Sequence, residues 1–332
     1  MKTFKLNNFK LPGIRCIRKN DHFILLVILF IVFSTTLSGK DHFVSLPVIK
    51  SDTDKIVPII YPPLTARDGL GLDIPEPPSG HPRLLFQKKD IPLLKEKIKD
   101  PLMKECWDKI IQNAAYKTDG KLSQEGGTNN QNNIIRNAIE AKALIYAFTG
   151  DANMGHEAVN ALMNYYSSLK LSYKVFTDLI QQYHANVDIG RTILTGAMVY
   201  DWCYDLLPSH DKQILINRME TMGADMEIEW PKLRQGSVVG HGSENQLARD
   251  MLSCGIATYD EKPIIYKLAA GRIMAELVPA RKFYYPAGYH HQGSSYGPQR
   301  FNNEMMATFI FDRMGYPDIF GKEQALVPYF WV

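Results

Sequence analysis

The chain has 332 residues, of which 45% are apolar, and a formal net charge of +3. That apolar share supports a large buried core and excludes a disordered or fibrous chain. Residues 1–39 hold six Lys/Arg and one Asp, a charge of +5, so the remainder carries −2; a near-neutral body argues against non-specific nucleic-acid binding and still permits a local basic cleft.

The first segment reads as an export signal. Lys2, Lys5, Lys10, Arg15, Arg18 and Lys19 precede the unbroken apolar run Phe23 to Phe33, and small residues follow. Eleven apolar residues fall short of the roughly 20 that a membrane span requires, and the pattern fits a secretory signal over residues 1–39. An uncleaved N-terminal anchor is the alternative. The body is expected to be periplasmic or secreted, with no membrane contact once the signal is cut. Cys106, Cys203 and Cys254 lie far apart in helical stretches, which gives neither a disulfide framework nor a Cys-rich metal signature.

Residues 40–80 carry Pro58, Pro62, Pro63, Pro75, Pro77 and Pro78. Prolines at this density prevent helix and interrupt strand pairing, so the segment is expected to be an extended linker across the surface. His81-Pro-Arg-Leu-Leu-Phe86 then opens the folded domain, expected over 81–332. Asp90 with Pro92 predicts a helix start, and the helix is expected to run to about Tyr116, burying Leu93, Leu94, Ile98, Trp107 and Ile110. Lys117 to Asn130 reads as a loop.

Ile134, Ala138, Ala141, Ile145 and Phe148 recur at spacings of four and three, the signature of one helical face. Gly150 is predicted to stop that helix and Asp151 to cap the next, whose core side is Val159, Leu162, Met163 and Tyr166. Ile193, Ala197, Tyr200, Tyr204 and Leu207 mark another helix, ended by Pro208. Ser209 is predicted to cap a helix to about Met226. A further helix is expected from about Glu244 to Thr258. Ile264, Leu268, Gly271, Ala275 and Val278 mark one ended by Pro279, and the last full helix is placed near Phe301 to Met314. Period-two alternation is almost absent, so the class is all-α, with helices packed as antiparallel hairpins. Closing the hairpins into an (α/α) toroid is an expectation from helix number. The apolar ending at Val332 suggests a domain incomplete at its C-terminal end.

Two stretches concentrate chemistry: Val239-Gly-His-Gly-Ser-Glu-Asn-Gln-Leu and Tyr289-His-His-Gln-Gly-Ser-Ser-Tyr-Gly-Pro-Gln-Arg300. They offer an imidazole at His241, a carboxyl at Glu244, a phenol at Tyr296 and a guanidinium at Arg300. Reference pKa values of about 6.5, 4.3 and 10 for the first three suit proton abstraction beside a carboxylate, if nearby cations lower the phenol. Arg300 lies one helical turn after Tyr296, and His241 and Glu244 are three apart. Each group also has a plain structural use: a Tyr beside a glycine is commonly packing, and Glu244 suits the first turn of a helix. His290-His291 suggests a metal pair only weakly, because adjacent side chains diverge on regular structure and no Asp/Cys cluster completes a site. No metal is therefore expected. A glycosidase would need two suitably spaced carboxylates, and Glu244 has no obvious partner beyond Glu304.

His81-Pro-Arg-Leu-Leu-Phe86 with the following Asp-Ile-Pro-Leu-Leu, Tyr200-Asp-Trp-Cys-Tyr-Asp-Leu-Leu, His241-Gly-Ser-Glu244 and Ser295-Tyr-Gly-Pro-Gln-Arg300 together resemble the heparinase II/III-like polysaccharide lyases. The likeness covers roughly residues 80–330. It implies an (α/α) toroid followed by β-sandwich domains, which this chain lacks. It implies cleavage of uronic-acid glycosaminoglycans of the heparin and heparan sulfate type by β-elimination. Tyr296 would protonate the leaving O4 and serve as base for one uronate epimer, His241 would be the base for the other, and Glu244 would neutralise the uronate carboxylate. Arg300 would bind substrate near the cut, with Asn245 and His291 as weaker cleft candidates from position. The family's structural zinc and a further cleft histidine would lie in the missing domains, so no cofactor is expected in this chain. The expected partner is an acidic polysaccharide, with a second copy of the chain as another candidate. Alginate or another uronate polymer is the alternative substrate, and a carbohydrate-binding toroid without catalysis is the alternative class.

Overall fold

A computed structural model describes residues 74–117, 130–169, 179–228, 230 and 243–331. The export signal, most of the proline-rich linker, the loop before Asn130 and His241 lie outside these residues. The described chain is all-helical and contains no strand, and none of its helices is long and apolar enough to cross a membrane.

The expected first helix is two. α1 spans Ile91–Lys97 and α2 spans Pro101–Ala114. The break follows from Asp100-Pro101: the Asp100 carboxylate accepts the Leu102 N–H at 2.9 Å, and proline occupies the first position of the new helix, where no N–H is needed. Leu94 and Ile110 are buried and Ile98 and Trp107 half-buried. Leu93 faces solvent instead, while α1 turns Leu94 and, in part, Ile91 inward.

α3 covers Asn130–Thr149 and α4 covers Ala152–Ser168. Between them Gly150 takes φ +78°, and the Asp151 carboxylate accepts the N–H of Asn153 and of Met154; stop and cap stand where the sequence puts them. Ala138, Ala141, Val159, Leu162 and Tyr166 are buried, whereas Ile134 is exposed near the start of α3. α5 runs over Leu179–Trp202 and buries Ile193, Ala197 and Tyr200. Pro208, not Ser209, is the residue preceding α6, Ser209–Ala224, and no side chain caps that end.

α7 covers 243–257, with wide π-type turns over Gln246–Met251. α8 covers 263–284, and Pro279 does not end it. A wide turn over Ile273–Leu277 precedes the proline and absorbs the missing N–H and the crowding of its ring. α9 is Gly293–Arg313 and therefore begins before Tyr296. A 3-10 stretch, Lys322–Trp331, follows.

Helices α3, α5, α7 and α9 pack on one another in that order, while α2 and α4 flank α3, α6 flanks α5 and α8 flanks α7. The flanking contacts are mostly apolar. The α7–α8 approach is close: a Cβ on Gly255 would meet the backbone of Tyr266 at 2.5 Å. The row α3–α5–α7–α9 also buries charge. Arg136 pairs with Asp188 at 2.9 Å, Arg191 with Glu140 at 3.2 Å, and Arg249 with Asp250 at 2.6 Å.

The segment before α1 is strapped to the end of α5. Both Asp201 oxygens are used: one accepts the N–H of Arg83 and of Leu84, at 2.9 and 2.8 Å, and the other meets His81 Nδ1 at 2.6 Å. Trp202 Nε1 donates to Leu84 O at 3.1 Å. The far side of the His81 ring reaches Asp260 at 3.1 Å, Arg83 joins it there, and Tyr204 stacks on the imidazole at 3.6 Å. The His-Pro-Arg-Leu and Tyr-Asp-Trp motifs thus bind each other.

Candidate functional site

α9 carries Tyr296, Arg300 and Glu304 at intervals of four residues, so the three share one face and step inward by about 6 Å each. The depth changes along that row. Tyr296 is 37% exposed, Arg300 is 1% and Glu304 is fully buried. The start of α9 is fixed by Gly293 at φ +65° and by Trp331, whose Nε1 donates to Gly293 O at 3.1 Å.

Glu304 ends in a cluster built by three elements. Arg281, near the end of α8, donates through Nε to Glu304 Oε1 at 2.7 Å and also pairs with Glu244 from the first turn of α7. Tyr285 donates to Glu304, and His290 Nε2 lies 3.6 Å from it. All three charged groups are wholly buried. Burial pushes the Glu304 carboxyl up, but Arg281, His290 and Tyr285 outweigh it and hold the group below the usual carboxylate range. Burial alone would lower Arg281, and Glu304 more than offsets that. Burial, reinforced by Glu304, pushes the Tyr285 phenol far up, so it remains a donor.

The loop between α8 and α9 supplies the two histidines. Their rings stack at 4.8 Å and 27°, so they converge where regular structure would separate them. Gly288, at φ +63°, turns the chain just before them. His290 is buried against Phe301 and Trp331. His291 Nδ1 lies 3.0 Å from the Tyr284 hydroxyl, and its Nε2 lies 3.8 Å from Glu244 Oε2. Burial first, then Arg281 and His290, pulls the His291 imidazole down to about 4, which leaves it neutral at ordinary pH.

Of the residues singled out from sequence, Tyr296 and Arg300 share one helical row, and Glu244 and His291 meet in the cluster beneath it. Asn245 is buried on α7, and its Oδ1 has no hydrogen-bond partner among the described residues. His241 lies outside the described residues, three positions before Glu244. Sequence reasoning did not find Arg281, Tyr284 or Tyr285. The only signal for them was the cluster of aromatic and basic residues in Arg281-Lys-Phe-Tyr-Tyr-Pro just before a Gly turn. Among the described residues, no group of three or more His, Cys, Asp or Glu is placed to hold a metal ion. The free thiols Cys203 and Cys254 are buried away from the cluster's residues, and burial pushes Cys254 up to about 12, so it is unreactive.

The arrangement can bind an anion and move a proton. A phenol stands at the solvent end of a row whose buried end joins two guanidiniums, Arg300 and Arg281, to two carboxylates, Glu244 and Glu304. Compared with family models and with curated proteins, the chain finds no match in either.

Proposed function

We propose that the chain is the helical catalytic portion of an exported polysaccharide lyase acting on uronic-acid glycosaminoglycans of the heparin and heparan sulfate type. In this reading the row α3–α5–α7–α9 and the helices that flank it belong to an (α/α) toroid, with the cleft at the end where α9 begins. The observation that carries it is the graded row on α9: an accessible phenol at Tyr296, one turn from the buried guanidinium of Arg300, above the Glu244–Arg281 pair.

The uronate carboxylate would sit toward the guanidiniums of Arg300 and Arg281, which stabilise the charge that builds as the C5 proton leaves. Tyr296 takes that proton for one epimer, and His241 takes it for the other. The C4–O4 bond then breaks, O4 receives a proton from Tyr296, and a C4=C5 double bond forms in conjugation with the carboxylate. No water is consumed.

The burial of Glu244 bears on its role. Paired with Arg281, it would meet the uronate through that shared guanidinium rather than directly. The pairing also argues against a hydrolase: Glu304, the other carboxyl within reach, has its two oxygens taken by Arg281 and Tyr285, so the two free carboxyls a glycosidase needs are not both present. A glycan-binding module without catalysis is the second reading, favoured by the depth at which Glu244 and Arg300 lie.

Incubating the full-length protein with heparan sulfate should raise ultraviolet absorbance from the unsaturated uronate, and Tyr296→Phe should abolish that rise. Full activity in Tyr296→Phe would overturn the assignment.

A further inference from the structure

Glu244 meets Arg281 through Oε1, whereas its Oε2, like Nε2 of His291, is buried without a hydrogen-bond partner among the described residues. That nitrogen faces Glu244 Oε2 across 3.8 Å. The other nitrogen of the ring is occupied by the Tyr284 hydroxyl at 3.0 Å. A phenol that donates to Nδ1 requires that nitrogen to be unprotonated, which puts the ring proton on Nε2, the atom aimed at the carboxylate. The opposite tautomer would turn a bare Nε2 lone pair toward the Glu244 carboxylate, so the geometry favours Tyr284 as the donor. The groups that face the imidazole are Tyr284 and Arg281 from α8, His290 beside it, Glu244 from α7, and Glu304 and Arg300 from α9. Two cations among them oppose a second proton on the ring.

We infer that Tyr284 and His291 are a positioning pair: the phenol fixes His291 as the neutral tautomer protonated at Nε2, and that N–H orients Glu244 from the side opposite Arg281. The effect on turnover rests on the reading of Glu244 as a group that acts on bound uronate. A buried carboxylate held by one partner leaves its remaining lone pairs unmet, which is costly. A side-chain shift of less than about 1 Å closes the gap to an ordinary hydrogen bond, and the stacked His290 ring prevents the imidazole from swinging away.

The test uses the full chain with heparan sulfate and combines steady-state kinetics with nitrogen NMR of the histidine rings. His291→Ala and Tyr284→Phe should each lower kcat on the order of 100-fold, the cost of a small misplacement of a reacting group, with KM little changed. His291→Gln places an amide N–H where Nε2 stood and should recover most of that loss, whereas His291→Asn, which mimics Nδ1, should not. In the wild type the His291 ring should show the single tautomer protonated at Nε2, and in Tyr284→Phe a mixture of tautomers. A merely structural role would reduce the yield of folded protein and leave kcat per folded molecule and the tautomer unchanged. If Tyr296→Phe abolishes turnover while Tyr284→Phe and His291→Ala keep wild-type kcat, the positioning pair is refuted and the lyase stands. If no uronate polymer yields unsaturated product, the lyase reading falls and the role in turnover falls with it. A single tautomer that persists in Tyr284→Phe refutes the pair independently of activity.

Discussion

Asp201 and Glu244 are both fully buried carboxylates, each near a histidine and an arginine, yet they are treated differently. At the strap, both Asp201 oxygens are occupied, by two backbone N–H groups and by His81. Beneath α9, Arg281 meets one oxygen of Glu244, but the other, Oε2, has no hydrogen-bond partner among the described residues. A buried charge with every lone pair met is a structural tie, because nothing is left with which to bind. A buried charge left partly unmet carries a standing cost that a ligand relieves. The resemblance to the lyases was carried by motifs at both places, and only the second has the chemistry of a site.

The largest effect that would break this comparison lies at the strap. Asp201→Ala leaves His81, Arg83 N–H and Leu84 N–H without their acceptor and should cost about 3–5 kcal/mol, the usual result of removing one partner of a buried pair. Thermal melts should show this loss while turnover per folded molecule remains near wild type. Glu244→Gln should do the reverse. Arg281 keeps Glu304, so the melting temperature should fall far less than in Asp201→Ala, while glycan turnover is lost. Equal behaviour of the two variants would erase the distinction.

A smaller effect tests the scaffold that holds both places. Gly255→Ala forces a Cβ against the Tyr266 backbone where α7 meets α8 and should cost about 1–3 kcal/mol, as overpacking does. Denaturant unfolding measures it. Because α7 carries Glu244, some loss of turnover should accompany it.

The smallest effect is in pH. The His291 imidazole is pulled from its ordinary 6.5 to about 4 in the fold. Unfolding raises it again, so between those values the unfolded chain binds the extra proton. Stability from this group is therefore present above pH 6.5 and lost as pH falls to about 4. His291→Gln should flatten that part of the stability profile, leaving the deeper acid loss that comes from paired carboxylates such as Glu304. An identical slope in the variant would mean that the imidazole is not held neutral.

Much of the helical layout was legible. Gly150-Asp151 named a stop and a cap, and the three- and four-residue spacing in α3 and α4 named their buried faces. Asp100-Pro101 carried an equally plain signal for the break between α1 and α2, which the longer apolar pattern obscured. Pro279 misled because a wide turn just before it lets the helix continue, and no residue type announces such a turn. The Tyr296–Arg300 row was readable because it is local. Arg281, Tyr284 and Tyr285 were not, since what makes them a site is their meeting with Glu244 and Glu304, and the partner of a buried charge on another helix leaves no local pattern.

The central claim is elimination, and the fate of water tests it most directly. Heparan sulfate cleaved by the full-length protein in heavy-oxygen water should yield one unsaturated uronate per cut, with no heavy oxygen in either new chain end. Saturated products carrying heavy oxygen at the new reducing end would contradict the account.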